Sequence, residues 1–290
     1  MKSKGKKAAF TIIELLTVMS IIVILIGILL PSLNAIKRYA RVVTQKNLFK
    51  NIDAGMIAFE FDYKEYPPSG ALDATGAEYC GAMKLAEAMA GQDGLGFHPD
   101  SKFTADDGSG PTELYPRPAP NPITPAYEEN LRSRKEYLEP KDVQLCTLAD
   151  LYTSTGWANP NDVALLCDVF KAATNLNSKK KMGMPILYYK ADSSKLLNDV
   201  SNPDNDENIY NYLDNQEFLK LGLPWDTATK PPLCEPGLGG EPEGYKLYEM
   251  ILDKSALPIQ RPKNKDSYIL ISAGWDGIYG TRDDVFNFAD

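Results

Sequence analysis

The run FTIIELLTVMSIIVILIGILL, residues 10–30, holds 21 residues and one charge, Glu14. As a helix rising ~1.5 Å per residue it measures about 31 Å, the thickness of a bilayer's hydrocarbon core. Lys2, Lys4, Lys6 and Lys7 precede it, followed by two small residues, Ala8 and Ala9. Lysines on one side and none inside predict a single span with a cytoplasmic N-terminus and the rest of the chain translocated. A carboxylate at the centre of such a span costs about 2.5–3.5 kcal/mol on insertion scales, and less near its end. Glu14 therefore calls for a functional reason.

Three accounts compete for this segment. A cleaved secretory signal fits poorly, because its apolar core usually spans only about 7–15 residues and ends at a small-x-small site. A plain signal anchor accounts for the length and the lysines but leaves Glu14 unexplained. The third account is a membrane-embedded subunit that polymerises through its N-terminal helix.

The string KKAAFTIIELLTVMSIIVILIGILLP resembles the class III signal of type IV pilins and pseudopilins. The resemblance implies cleavage by a prepilin peptidase between Ala9 and Phe10, followed by N-methylation of Phe10. Glu14 lies four residues beyond Phe10, as in that family, and Pro31 lies where the family often has a helix-loosening proline. The family usually has Gly before the cut; Ala9 stands there here, which implies slower processing. In a filament Glu14 would pair with the new amine of a neighbouring copy, fixing axial register, since either charge alone is costly in an apolar bundle. Pro31 lacks an N–H and clashes with the preceding turn, so a kink or local melting is expected there.

Beyond the span, Ile36, Ala40, Val43, Phe49, Ile52, Met56, Phe59 and Tyr63 recur at steps of three and four, with one step of six between Val43 and Phe49. Charged residues, among them Lys37, Arg41, Lys46 and Lys50, occupy much of the other surface. That stripe predicts an amphipathic continuation of one helix up to Pro67-Pro68. Three regions follow: a leader at 1–9, a spine helix at 10–66, and an exported body at 67–290. The expected fold class is α+β and pilin-like, a long helix packed on a small antiparallel sheet. In the body, helices are expected over 78–90, ended by Gly91, and over 126–138, near 207–221 and over 244–253. Strands are expected at 185–191 and 267–272. The stretches 92–180 and 192–262 exceed a compact pilin-type body and read as enlarged insertions.

The C-terminal stretch SAGWDGIYGTRDDVFNF sets Asp276, Asp283 and Asp284 among Gly277 and Gly280. Glycines permit the tight turns that gather carboxylates and carbonyls around one ion, and Ca²⁺ takes six to eight such oxygens. The spacing is not that of an EF-hand loop. The chain resembles the major pseudopilin of type II secretion, often called protein G, in three places: the N-terminal signal, the YPPSG stretch and this terminus. That resemblance implies a Ca²⁺ site at Asp276, Asp283 and Asp284. A solvated acidic turn, with Arg282 offsetting part of the charge, is the alternative.

The chain carries a net charge of −8, and without the four leader lysines it would have 39 acids against 27 bases, or −12. An acidic body of this kind predicts no nucleic-acid partner. No GxSxG, HExxH or P-loop occurs, and the single His98 sits in FHPD, where it reads as a surface residue, so no enzyme is expected. Cys80, Cys146, Cys167 and Cys234 have no CxxC spacing; they leave open two disulfides in any of three pairings, or free buried thiols. Trp157, Trp225 and Trp275 read as core or loop-packing residues.

The expected function is a structural filament subunit, a type II secretion pseudopilin. A surface type IV pilin and a signal-anchored protein that never polymerises remain as alternatives. The implied partners are prepilin peptidase, further copies of the chain, minor pseudopilins, the inner-membrane assembly platform and the membrane. The implied location is the cytoplasmic (inner) membrane, with the body in the periplasm or outside the cell.

Overall fold

The computed structural model describes residues 11–105, 114–116, 123–157, 164–237, 240–256, 258 and 260–288. Ala9 and Phe10 lie outside the described residues. The chain divides into two compact units, residues 1–43 and 44–290.

Helix α1, Ile12–Tyr63, begins in the first unit. Its apolar side chains from Ile12 to Leu30 are exposed, and its most apolar 18-residue stretch has a mean hydropathy of 2.9. This is one helix long and apolar enough to cross a membrane. Its hydroxyl groups fold back on the helix: Thr17 donates to the Glu14 carbonyl (3.0 Å), Ser20 to Leu16 (2.8 Å) and Ser32 to Ile28 (3.0 Å). Such bonds satisfy polar groups where no water is at hand. The helix passes through position 31 without interruption, so a local melting at Pro31 is not found.

The second unit contains the rest of α1, from Thr44. Phe49, Ile52, Met56 and Phe59 are buried there, as the periodicity predicts, together with Gln45 and Leu48. Ile36, Ala40 and Val43 are exposed, so the buried stripe starts later than the sequence suggests. Phe59 belongs to an aromatic cluster with Tyr63, Phe97, Phe103 and Tyr137.

Helix α2, Gly81–Ala90, is rich in Ala, Leu and Met, all strong helix formers, and is buried along its whole length. It lies so close to the sheet that a Cβ on Gly81 would stand 2.2 Å from the Tyr188 carbonyl oxygen. Its two charged residues have partners: the Lys84 ammonium donates to the carbonyls of Gly70 and Leu72 (2.7 and 2.9 Å), and Glu87 accepts from the hydroxyls of Tyr79 and Ser101.

Helix α3, Pro125–Ser133, is capped by Thr124, whose hydroxyl accepts from the Tyr127 amide at 3.2 Å. It stops short of the expected residue 138 for a tertiary reason. Arg134 forms a buried ion pair with Asp93 at 2.6 Å, and Lys135 exchanges backbone hydrogen bonds with Phe97 (2.9 Å each). His98 is not a surface residue. It is 7% exposed, its Nδ1 accepts from the Asp100 amide at 3.2 Å, and its Nε2 lies 3.3 Å from the Ser133 hydroxyl.

Strands β1, Gln144–Cys146, and β2, Leu165–Cys167, form an antiparallel pair, with helix α4, Leu148–Leu151, in the connection. A disulfide joins Cys146 to Cys167, while Cys80 and Cys234 are buried free thiols. One bridge is thus present where two, or none, were expected. Burial pushes both free thiols up to about 11, so neither is a ready nucleophile. Strands β3, Ala173–Thr174, and β4, Lys181–Met182, form a short hairpin.

The main sheet is antiparallel and holds β5, Leu187–Lys190, β6, Tyr268–Ser272, and β7, Val285–Phe286, with β6 in the middle. Leu187 faces Ile271 in β6, which faces Phe286 in β7. The fold class is α+β. Residues 192–262 are no appendage to this sheet. Helices α5, Gln216–Lys220, and α6, Tyr245–Ile251, and their flanks bring Ile209, Tyr210, Phe218, Leu247 and Tyr248 into the core that holds Ile269 and Ile271. Buried Asn215 ties the segment down, accepting from the Ala82 amide (2.9 Å) and donating to the Tyr188 carbonyl (2.8 Å). Trp157 is half-buried against the core, whereas Trp225 is 50% exposed and packs along the loop at Gly277.

Candidate functional site

Two sets of residues are candidates. In the first unit, Thr11 and Glu14 bond reciprocally at the start of α1. The Thr11 amide and hydroxyl both donate to the Glu14 carboxylate at 2.8 Å, and the Glu14 amide donates to the Thr11 hydroxyl at 3.2 Å. This is a capping box, in which a hydroxyl residue and an acid three positions on satisfy amides of the first turn. The signal was present in the sequence as T-x-x-E, and the functional reading of Glu14 passed over it. A capping carboxylate is held at a defined place in the first turn, whatever else it does.

In the second unit, the connection 273–284 joins β6 to β7. Because these strands pair antiparallel side by side, the loop must leave and return at the same end of the sheet, and Gly277 and Gly280 take left-handed φ values of +74° and +93°. The loop is pinned to the body at Tyr279. Its ring is fully buried, its hydroxyl donates to the Pro185 carbonyl, and its carbonyl accepts from the Leu233 amide at 3.2 Å. Below the loop, Asp168 at the end of β2 accepts from the Ser272 hydroxyl at 2.8 Å. Neither anchor was recognised from sequence; a lone tyrosine between glycines was the available signal for the first.

The three aspartates converge on one loop but differ in environment. Asp283 accepts from the Trp275 and Asp276 amides (2.6 and 3.1 Å) and from the Thr281 hydroxyl (2.6 Å). Asp276 accepts from the Ile278 amide (2.8 Å), and one oxygen of Asp284 accepts from the Gly280 amide (2.7 Å). The other oxygen, Oδ1 of Asp284, is buried and has no hydrogen-bond partner. Burial, reinforced by the charges of Asp283 and Asp276, pushes Asp284 up to about 8. Burial and the Asp283 charge also raise Asp276. Burial opposes the ionisation of Asp283 too, but its hydroxyl and amide donors hold it below the usual carboxylate range.

The donors are all hard oxygens, and an orphaned carboxylate oxygen beside two further carboxylates fits a cation. Among the described residues, however, no group of three or more His, Cys, Asp or Glu side chains stands ready to hold a metal ion. Asp283 in particular is directed at backbone amides.

Comparison of the chain with protein-family models, with curated proteins and with solved structures gives no match.

Proposed function

We propose that this chain is the membrane-anchored structural subunit of a pilus-like filament, of the type II secretion pseudopilin kind, and that it has no catalytic role. The observation that carries the reading is α1. Its first part presents apolar side chains all round, with a single carboxylate in the first turn, and its last part buries a stripe in an α+β body. Prepilin peptidase would cut between Ala9 and Phe10 on the cytoplasmic face. The new amine of one copy would then meet Glu14 of the next within the bundle, and minor pseudopilins and the assembly platform would act on the same helix. Pairing two charges that would otherwise be stranded in apolar surroundings specifies register more than it adds stability.

We further propose that the 273–284 loop takes up Ca²⁺ through Asp276, Asp283 and Asp284. The ion would supply positive charge to the orphaned Asp284 oxygen and tie β7 to β6, stabilising the body wherever free calcium is plentiful.

The Thr11–Glu14 cap favours a second reading, a signal-anchored protein that does not polymerise, because it gives Glu14 a purely local use. Intact mass and N-terminal sequencing of the membrane-extracted chain separate the two. A start at N-methylated Phe10 supports the filament subunit; an intact Met1 or a cut beyond residue 30 removes it.

A further inference from the structure

A cleft of about 570 Å³ lies between the β3–β4 hairpin and the 273–284 loop. Its walls include Trp225, Trp275, Lys179, Lys181, Asn175 and Asp276. A volume of that order suits a small ligand or a short oligomer.

The two indoles are set in place by the backbone around them. The turn that carries Trp225 is closed by bonds from the Leu223 amide to the Thr229 carbonyl (3.1 Å) and from the Asp226 amide to the Leu223 carbonyl (2.9 Å). The loop passes so close beneath the indole that a Cβ on Gly277 would stand 2.9 Å from its ring. The Trp275 amide is bonded to the Asp283 carboxylate at 2.6 Å. A half-exposed indole that closes no core is a large apolar surface left for a partner.

Two lysines stand in the cleft wall. Lys179 and Lys181 are exposed, and neither forms an ion pair among the described residues. Against the single Asp276 carboxylate they leave the wall with a positive excess on a chain of net charge −8, a local attractor for an anion.

We propose that this cleft binds an anionic saccharide, a short chain containing uronic acid units. The C–H face of a sugar ring lies against an indole, whose ring face is electron-rich. The sugar carboxylates meet the lysines. The Asp276 carboxylate in the wall offers an acceptor for sugar hydroxyls, which are donors. Single-stranded nucleic acid shares the aromatic and lysine chemistry and is the competing ligand in the test below. A neutral saccharide would leave the lysines unused. The proposal does not depend on polymerisation or on cleavage at Ala9.

The test is titration of the full-length chain in detergent micelles with tetragalacturonate, maltotetraose and an oligothymidylate, read by tryptophan fluorescence and calorimetry. Tetragalacturonate is expected to bind saturably and more tightly than the other two. Trp225→Ala and the double variant Lys179→Glu/Lys181→Glu should each weaken it roughly tenfold, the loss expected when one anchoring contact of about 1.4 kcal/mol is removed. Both variants change exposed side chains, and an unchanged melting temperature checks that each is folded. The absence of saturable binding, equal affinity for maltotetraose, or variants that bind like the parent overturns the proposal. Tighter binding of oligothymidylate also overturns it and assigns the cleft to nucleic acid.

Discussion

Replacing Asp168 by asparagine should make the body more stable at neutral and alkaline pH, although it removes a hydrogen-bonded carboxylate. Asp168 is 1% exposed. It accepts from the amides of Phe170 and Met184 (3.1 Å each) and from the Ser272 hydroxyl (2.8 Å). Burial outweighs these three donors and pushes the group from its ordinary 3.8 up to about 7. The folded chain therefore keeps a proton over a pH range in which the unfolded chain has lost it. Stability from this group is fully present below about pH 4, falls as pH rises, and is lost above about pH 7. At ~1.36 kcal/mol per pH unit, the gap amounts to about 4 kcal/mol.

In the Asp168→Asn variant the side-chain amide would still offer an oxygen to the two backbone amides, and its NH₂ can donate to the Ser272 hydroxyl, which turns to accept. That amide cannot ionise, so the difference between variant and parent isolates this one group from the other titrating acids. The assay is denaturant unfolding of both proteins in micelles at a series of pH values. The two should be nearly equal near pH 4, with the variant gaining steadily to a plateau of a few kcal/mol near pH 8. A difference that stays flat across this range, or one that favours the parent as pH rises, would refute the reasoning.

Four further outcomes are expected. The double variant Cys146→Ser/Cys167→Ser, which opens a loop with a sequence separation of 21, should lose about 3 kcal/mol in denaturant unfolding; no measurable loss would deny the bridge a stabilising role. Calcium should raise the melting temperature of the parent, by about 2.7 kcal/mol of stability at a hundredfold excess over its Kd, and Asp284→Asn should abolish the rise; a melt indifferent to EDTA counts against the calcium loop. Met56→Ala, at a fully buried position, should cost about 2–5 kcal/mol, whereas Ile57→Ala, at a neighbour that is 61% exposed, should stay within about 0.5 kcal/mol. Glu14→Gln should insert and be processed but fail to assemble, while Thr11→Val, which removes only the capping hydroxyl, should still form filaments by electron microscopy; equal loss in both would reduce Glu14 to a helix cap.

The elements legible in the sequence are those whose pattern is complete within a few residues. The apolar run and the 49–52–56–59 stripe of α1 show helical period, GAMKLAEAMA shows propensity with a glycine stop, and SYILIS shows a run of strand formers; each is where the periodicity places it. Apart from the local Thr11–Glu14 cap, the misses concern long-range partners. Helix α3 ends early because Asp93 and Phe97 claim Arg134 and Lys135. His98 is buried by Tyr115 and Ser133, which lie far along the chain. The register of β1 on β2 sets Cys146 opposite Leu165 and Cys167 opposite Gln144, which makes the two cysteines diagonal neighbours, and no spacing rule supplies that register. In the polar stretch 192–262 the helices expected near 207–221 and over 244–253 contain α5 and α6, but core residues such as Ile209-Tyr210 and Phe218-Leu219 come in short pairs among turns, too brief for a period to show how much of the stretch joins the core.

The acidic loop shows why composition reaches only part of a site. Three aspartates among glycines were visible as a group, yet the group is not uniform. Asp283 is surrounded by donors, while Asp284 keeps one buried oxygen without any. Between Asp276 and Asp283 in sequence, Tyr279 ties the loop to Pro185 and Leu233. The same loop places Trp275 and Asp276 on the wall of the lysine-lined cleft. One loop therefore presents an orphaned oxygen inward and an indole and a carboxylate outward. Asp276 belongs both to the proposed calcium set and to the cleft wall, so a cation held there and an anionic ligand in the cleft would attract one another and the two sites should be coupled. Titrating tetragalacturonate with and without calcium would measure any coupling between them, since whatever free energy the ion adds to ligand binding, the ligand must return to ion binding.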